Sequence, residues 1–149
     1  MPAATPPPPP VYAHVAQTKA ETAIVREVNR VRRAHHLRTV ALTTPLARVA
    51  RQHSSEMLRH DVLSHSSFDG STFTTRLKRA GKRRQYGETL AWAPAGSGAT
   101  AKVVVGLWMQ SAHHRAVLLN GALRRVGVGR VHGAMGDEAG NAVTADFSS

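Results

Sequence analysis

The sequence predicts an α+β fold in which helices pack on a small antiparallel sheet. Apolar residues recur at three- and four-residue steps early in the chain, in Ala20–His35 and again after Pro45, which is helical periodicity. Near the C-terminus, Val126–Val131 and Ala142–Phe147 alternate and are separated by a Gly-rich stretch, the pattern of two paired strands. A third strand-like segment, Tyr86–Trp92, stands alone between helical stretches. Helices gathered at the front with strands behind suit α+β better than a regular βαβ alternation.

At 149 residues the chain suits one domain, large enough to bury roughly 68–70% of the surface its unfolded form exposes. The absence of cysteine excludes disulfides and thiolate metal sites, and such a core needs neither. The net charge of +11, from 20 Lys+Arg against 9 Asp+Glu, favours contact with anionic polymers; it is equally what an arginine-rich soluble surface looks like. No run approaches the ~18 apolar residues of a membrane span. The start, Met1–Thr5, carries neither the charged nor the apolar region of an export signal, so any such segment would lie upstream.

Residues 1–18 are expected to form a proline-rich tail. Pro6–Pro10 fixes φ and removes amide donors, giving an extended polyproline II spacer, either a tether through a cell wall or a ligand for a proline-binding module. The domain is assigned to residues 19–149. Its first helix, Ala20–His35, turns Ala20, Ile24, Val28 and Val31 inward and Arg26, Arg30 and Arg33 elsewhere. Leu37–Leu42 is a short extended link. Thr44 then caps a second helix, with Pro45 at its first position, reaching to about His60. Leu46, Val49, Ala50, His53 and Met57 form its inner stripe, with His53 expected as a hydrogen-bonded core histidine. Asp61–Ser71 is a loop with an Asp69-Gly70 turn. Ser71 or Thr72 caps a short helix, Phe73–Ala80, closed by Gly81. Lys82-Arg83-Arg84 is a basic cluster, and Tyr86–Trp92 is a strand followed by a Pro/Gly/Ser loop over Ala93–Gly98. Thr100 caps a helix to about Gln110 with Val104, Leu107 and Trp108 as its apolar face. A short helix through Arg115–Leu119 ends at Asn120-Gly121. Gly133–Asn141 is the loop of the final hairpin, and all strands are expected to pair antiparallel.

Chemistry concentrates around Glu88, a carboxylate between apolar neighbours, preceded by an acid-free stretch from Arg76 to Arg84. A buried carboxylate requires hydrogen bonds or a cation. Two readings are open. In one, Glu88 converges with the segments around Ser64-His65-Ser66 and His113-His114; in the other, it sits at a strand end paired with a nearby arginine. Two imidazoles and one carboxylate suit a divalent metal with open positions, or a histidine base oriented by the acid. Ser64 and Ser66 flank His65, but adjacent residues of an extended segment point to opposite sides, which leaves no convincing nucleophile.

The order of motifs resembles a known family. Asn29-Arg30-Val31-Arg32-Arg33 is followed by Ser64-His65-Ser66, Asp69-Gly70 and Gly87-Glu88-Thr89-Leu90-Ala91. Leu107-Trp108, Ser111, His114-Arg115 and Val126-Gly127-Val128-Gly129 complete the order. From about residue 20 onward this resembles the bacterial, SCP-like branch of the CAP superfamily, which also contains cysteine-rich secretory proteins, venom allergens and plant pathogenesis-related proteins. The resemblance implies an α-β-α sandwich with a cleft over the sheet. It also implies a cleft cluster of His65, Glu88 and His114; by the chemistry of two imidazoles with open positions, His65 and His114 are the expected ligands of a weakly bound zinc or other divalent ion. Thr89 stands where many members have asparagine, and Ala112-His113 where they have Pro-Gly. No carboxylate falls near Ser111, which argues against a hydrolytic mechanism that needs two acids.

Three functional classes follow. One is a secreted, extracellular or wall-associated monomeric module whose cleft takes a lipid, peptide or wall polymer. Another is a metal-assisted hydrolase of wall or extracellular polymer. The third is a basic binder of polyanions or nucleic acid. Nucleic acid is the weakest partner, since no recognition motif appears and only 5% of residues are aromatic.

Overall fold

The computed structural model describes residues 17–96 and 100–149. The proline run and part of the expected Pro/Gly/Ser loop lie outside the described residues. Helix α1 (Lys19–Ala34) opens with a reciprocal cap: the Glu21 amide donates to Thr18 Oγ1 at 3.1 Å, and the Thr18 amide to Glu21 Oε1 at 2.8 Å. Glu21 is buried. It also accepts the Arg130 amide at 2.9 Å and pairs with Arg51, so the same residue that caps the helix ties it to the sheet. The Gln17 side chain bonds both the amide and the carbonyl of Val128, at 2.9 and 2.8 Å.

After α1 the chain forms β1 (Ala41–Leu42), which pairs parallel to β3 (Arg125–Met135). An entirely antiparallel sheet was expected; two residues are too few for alternation to reveal a strand. Helix α2 (Thr44–Arg59) has Thr43 rather than Thr44 at its cap, with Pro45 in its first turn. Helix α3 (Phe73–Leu77) is capped by Thr72 and continues as a 3₁₀ turn over Lys78–Ala80, closed by Gly81 at φ 133°. Strand β2 (Tyr86–Pro94) runs two residues beyond Trp92. Helix α4 (Ala101–Gln110) is capped by Thr100, and α5 (Ala112–Leu118) follows at once. Helix α5 therefore starts three residues before the expected Arg115, which puts His113 and His114 in its first turn.

The sheet order is β1-β3-β4-β2, with β4 (Glu138–Ser148) antiparallel to both neighbours and β2 at an edge. The β3–β4 ladder continues to Met135↔Glu138, so the turn is Gly136-Asp137 and not the expected loop over residues 133–141. Glycine and polar side chains at the hairpin's exposed end look like a loop in sequence, but the ladder is made by backbone groups that do not depend on them.

Alternation divides the sheet into two faces. Val126, Val128, Ala145, Phe147, Ala91 and Ala93 form one, packed with Ile24 and Val28 of α1 and Val104 and Trp108 of α4. Gly127, Gly129, Thr144, Asp146, Glu88 and Leu90 form the other, covered by α2 and α3. A Cβ on Gly127 or Gly129 would overlap the α2 backbone at Ala47 or Arg51, so those glycines set how closely α2 lies on the sheet. The result is an α-β-α sandwich.

On α4 the inward residues are Val104, Val105 and Trp108, whereas Leu107 is 51% exposed rather than part of the apolar face. The helix turns the 104/105/108 stripe to the sheet, and Leu107 falls to the side of it. Trp108 is fully buried, and its indole donates to the Leu90 carbonyl of edge strand β2 at 2.8 Å. Arg32 is also fully buried. It donates to the carbonyls of Arg38, Leu118, Asn120 and Leu123 at 2.8–3.1 Å, joining the end of α1 to the end of α5.

Candidate functional site

Glu88 is the third residue of β2 and points to the α2–α3 face, where it is 2% exposed. Three groups meet it. Arg76, on the inner side of α3, donates from Nη1 to Oε2 at 2.6 Å and from Nη2 to Oε1 at 3.2 Å. His65 Nδ1 lies 2.9 Å from Oε1; with the carboxylate ionised, that nitrogen carries the proton and donates it. Asp146 is the cross-strand partner of Glu88 on β4 and is fully buried. Burial opposes the charge on Glu88, but hydrogen bonds from His65 and Arg76 and the Arg76 charge outweigh it and hold the carboxyl down at about 2. Asp146 shifts the other way: burial, then the neighbouring Glu88 charge, push it well above the usual carboxylate range.

The loop carrying His65 is aimed by two grips on adjacent carbonyls. His53 Nε2, fully buried on α2, lies 2.6 Å from the Ser64 carbonyl and must donate to it. Arg76 Nη2 donates to the His65 carbonyl at 2.8 Å, and Arg76 Nε to Ser67 Oγ at 3.1 Å. Burial, and then the nearby Arg76, lower the His53 pKa, so it stays a neutral structural donor. Farther along, Asp69 Oδ1 accepts from the Ser71 amide at 2.9 Å, and Gly70 at φ 87° completes the turn that returns the loop to Ser67.

Helix α5 brings two more imidazoles beside the edge strand. The His114 ring lies 6.2 Å from that of His65, and the His113 ring 5.9 Å. His114 is half-buried and His113 exposed. Burial, then repulsion from His65 and His113, lower the His114 pKa. The structure thus joins His65 directly to Glu88 and places His114 nearby, with His113 at a similar ring distance. Because Glu88 gives both oxygens to Arg76 and His65, its role here is to orient rather than to ligate. Among the described residues no group of three His, Asp or Glu side chains is arranged to hold a metal ion. What fits a metal is the pair of free imidazole edges, with Glu88 behind one of them.

Both open readings of Glu88 describe the same carboxylate. It converges with the histidine segments, and it also pairs with a nearby arginine, Arg76, the residue that begins the acid-free stretch. Arg76 and Asp146 are the members that sequence reasoning missed. Arg76 had a signal, since it precedes Leu77 on a short helix whose capped start fixes which side faces in. Asp146 had a weaker one: it is the lone acid between Ala142 and Phe147, in phase with Ala142 and Thr144.

The model of the cysteine-rich secretory protein family, CAP, matches residues 25–147. Among solved structures, an extracellular protein containing an SCP domain from Bacillus anthracis superposes with a TM-score of 0.72 at 27% identity, over 87% of this chain and 40% of that one. An outer surface protein from Borrelia burgdorferi gives 0.72 at 18% identity, over 90% of this chain and 96% of that one. A cysteine-rich secretory protein from Staphylococcus aureus gives 0.66 at 18%, over 87% and 38%. The chain therefore spans about 40% of the length of the Bacillus and Staphylococcus proteins. No curated protein matches this sequence.

Proposed function

The chain belongs to the cysteine-rich secretory protein (CAP) family, and from that premise we propose that it is an extracellular or surface module that binds a ligand in the His65–His114 cleft. One observation carries the reading. Glu88 occupies Nδ1 of His65, which leaves Nε2 bare as an acceptor, next to a second imidazole kept neutral by its surroundings. A lone pair held toward a cleft suits a donor group of a lipid, peptide or wall polymer, or a cation. Extracellular and outer-surface placement of the similar proteins supports export. No helix among the described residues is long and apolar enough to cross a membrane.

A divalent ion such as zinc is the second reading, favoured by the gathered imidazoles. Two rings on one tetrahedral zinc sit about 5 Å apart by centroids, given a Zn–N distance of about 2.0–2.1 Å; the 6.2 Å between His65 and His114 is a modest adjustment away. A bound ion would polarise a ligand oxygen or acidify water, the chemistry a hydrolase of wall polymer needs. Glu88, held by Arg76, would keep His65 oriented rather than take a proton itself. Outward arginines such as Arg26, Arg33, Arg59 and Arg83 leave an anionic polymer as a surface partner, bound in a salt-sensitive way.

Zinc titration calorimetry at about pH 7.5 and 5.5 tests the site, with free histidine titrating near ~6.5. Uptake is expected to be weak and to fade at the lower pH. His65→Ala or His114→Ala should abolish it, while His113→Ala leaves it nearly intact. Loss with His113→Ala but not with His114→Ala would reassign the second ligand. No uptake at millimolar zinc would remove the metal reading and leave the cleft as a binding site for organic ligands.

A further inference from the structure

We propose that Asp146 is held in the folded protein as a neutral carboxylic acid that donates its proton to Glu88, leaving Glu88 as the single anion behind His65. The two residues face each other across β2 and β4, on the same side of the sheet, at 0% and 2% exposure. As an acceptor Asp146 fails: neither oxygen receives a hydrogen bond from any group among the described residues. Its nearest cation is Arg76, with Nη1 3.7 Å from Oδ2, too far for a hydrogen bond. Four of the five Arg76 N–H groups go elsewhere, to both Glu88 oxygens, the His65 carbonyl and Ser67, and the fifth, on Nη1, has Asp146 no nearer than that 3.7 Å.

One guanidinium balances one buried carboxylate. A second ionised carboxylate here would be an uncompensated buried charge, and like charges this close cannot both ionise cheaply. The other groups around the pair do not change the count. His53, from α2, is kept neutral by burial and by Arg76; His65, from the loop, gives its Nδ1 proton to Glu88; and β3 presents Gly127, which has no side chain. The pair therefore holds one proton. It sits on Asp146 because Glu88 alone has donors to stabilise its charge, and once protonated Asp146 has a donor with Glu88 beside it. Burial and the Glu88 charge push Asp146 in the same direction. The consequence for the cleft rests on the reading that His65 faces a ligand: an undivided anion at Glu88 fixes the Nδ1 proton and keeps Nε2 open.

The sign of the pH effect is distinctive. Asp146 is raised above its ordinary value of 3.8, so its contribution to stability is fully present below that value and is lost as pH rises. Asp146→Asn keeps a donor but has no proton to lose. Its melting temperature should match the unmutated protein near about pH 4 and exceed it by about 2–4 °C or more near pH 7. A variant that instead melts lower at pH 7 than at pH 4, relative to the unmutated protein, would show an ionised Asp146 paired with Arg76 and end the proposal. Should the variant not fold, the unmutated protein decides. Its Asp146 carboxyl ¹³C resonance should stay in the protonated position from about pH 4 to 7, whereas titration near the ordinary ~3.9 overturns the proposal. Infrared spectra add a signature that a merely structural role would lack, a protonated-carboxyl C=O stretch at neutral pH. It should vanish in a folded Asp146→Asn protein; its absence from the unmutated protein overturns the proposal. None of these readouts involves zinc or a cleft ligand, so their success beside failed zinc binding would strike only the cleft reading.

Discussion

Arg32 and Arg76 are both buried, one on each side of the sheet, and they differ in what surrounds them. Arg32, at the end of α1, is closed in by four backbone carbonyls and meets no anion among the described residues; burial, then Arg124, lower its pKa. Arg76, on α3, meets a carboxylate, a serine hydroxyl and one carbonyl. Carbonyls are fixed dipoles whose charge does not change with pH, so through them Arg32 fastens chain ends. A carboxylate titrates and is shared with His65 and Asp146, so Arg76 sets the electrostatics of the cleft. The same side chain is a rivet in one place and a counter-ion in the other, and its neighbours decide which.

The sharpest way to break that contrast is Arg76→Met. Removing one partner of a buried ion pair should cost about 3–5 kcal/mol at neutral pH in urea unfolding. The loss should shrink on acidification. Glu88 sits at about 2 in the folded protein against 4.5 as the ordinary value, so its contribution is present above 4.5 and is lost as pH falls toward 2. A deficit that is the same at pH 7 and at pH 3.5 would mean that Arg76 packs rather than neutralises.

Arg32→Leu should cost somewhat less, about 2–4 kcal/mol, by leaving several buried carbonyls without a donor. That loss should be independent of pH between about 4 and 8, because none of the Arg32 partners titrates. A pH-dependent loss would show that Arg32 belongs to an electrostatic network and erase the distinction.

The smallest effect sharpens it from within the site. Ser67→Ala removes a neutral acceptor from Arg76 and should cost about 1 kcal/mol, again without pH dependence. Zinc uptake should also be unchanged. If Ser67→Ala instead alters the pH profile of stability, the hydroxyl is part of the charge balance and the Arg76 cluster is larger than drawn.

Local physics was legible in advance. The periodicity of Ile24, Val28 and Val31, the inner stripe from Leu46 to Met57, the caps at Thr72 and Thr100 and the burial of Trp108 all depend on contacts within a few residues or on simple burial of apolar surface. Its setting singled out Glu88, and the family resemblance selected His65 as its partner; the two lie 2.9 Å apart. Leu107 went astray because either Val105 or Leu107 can complete a stripe with Val104 and Trp108, and periodicity does not say which one does.

What the sequence by itself determined, then, is every element but the two-residue β1, the apolar face of most of them and the segments that carry polar chemistry. Only the tertiary structure decided the partners. Arg32 and Arg76 look alike on their helices, and nothing local distinguishes an arginine that will find carbonyls from one that will find a carboxylate. Asp146 stands 58 positions from Glu88 along the chain (146 − 88), and it takes the β2–β4 ladder to put one against the other. The physical reason is range. Helix caps and apolar stripes are decided by neighbours along the chain, whereas the charge of a buried acid is decided by whatever the fold brings within a few ångströms of it.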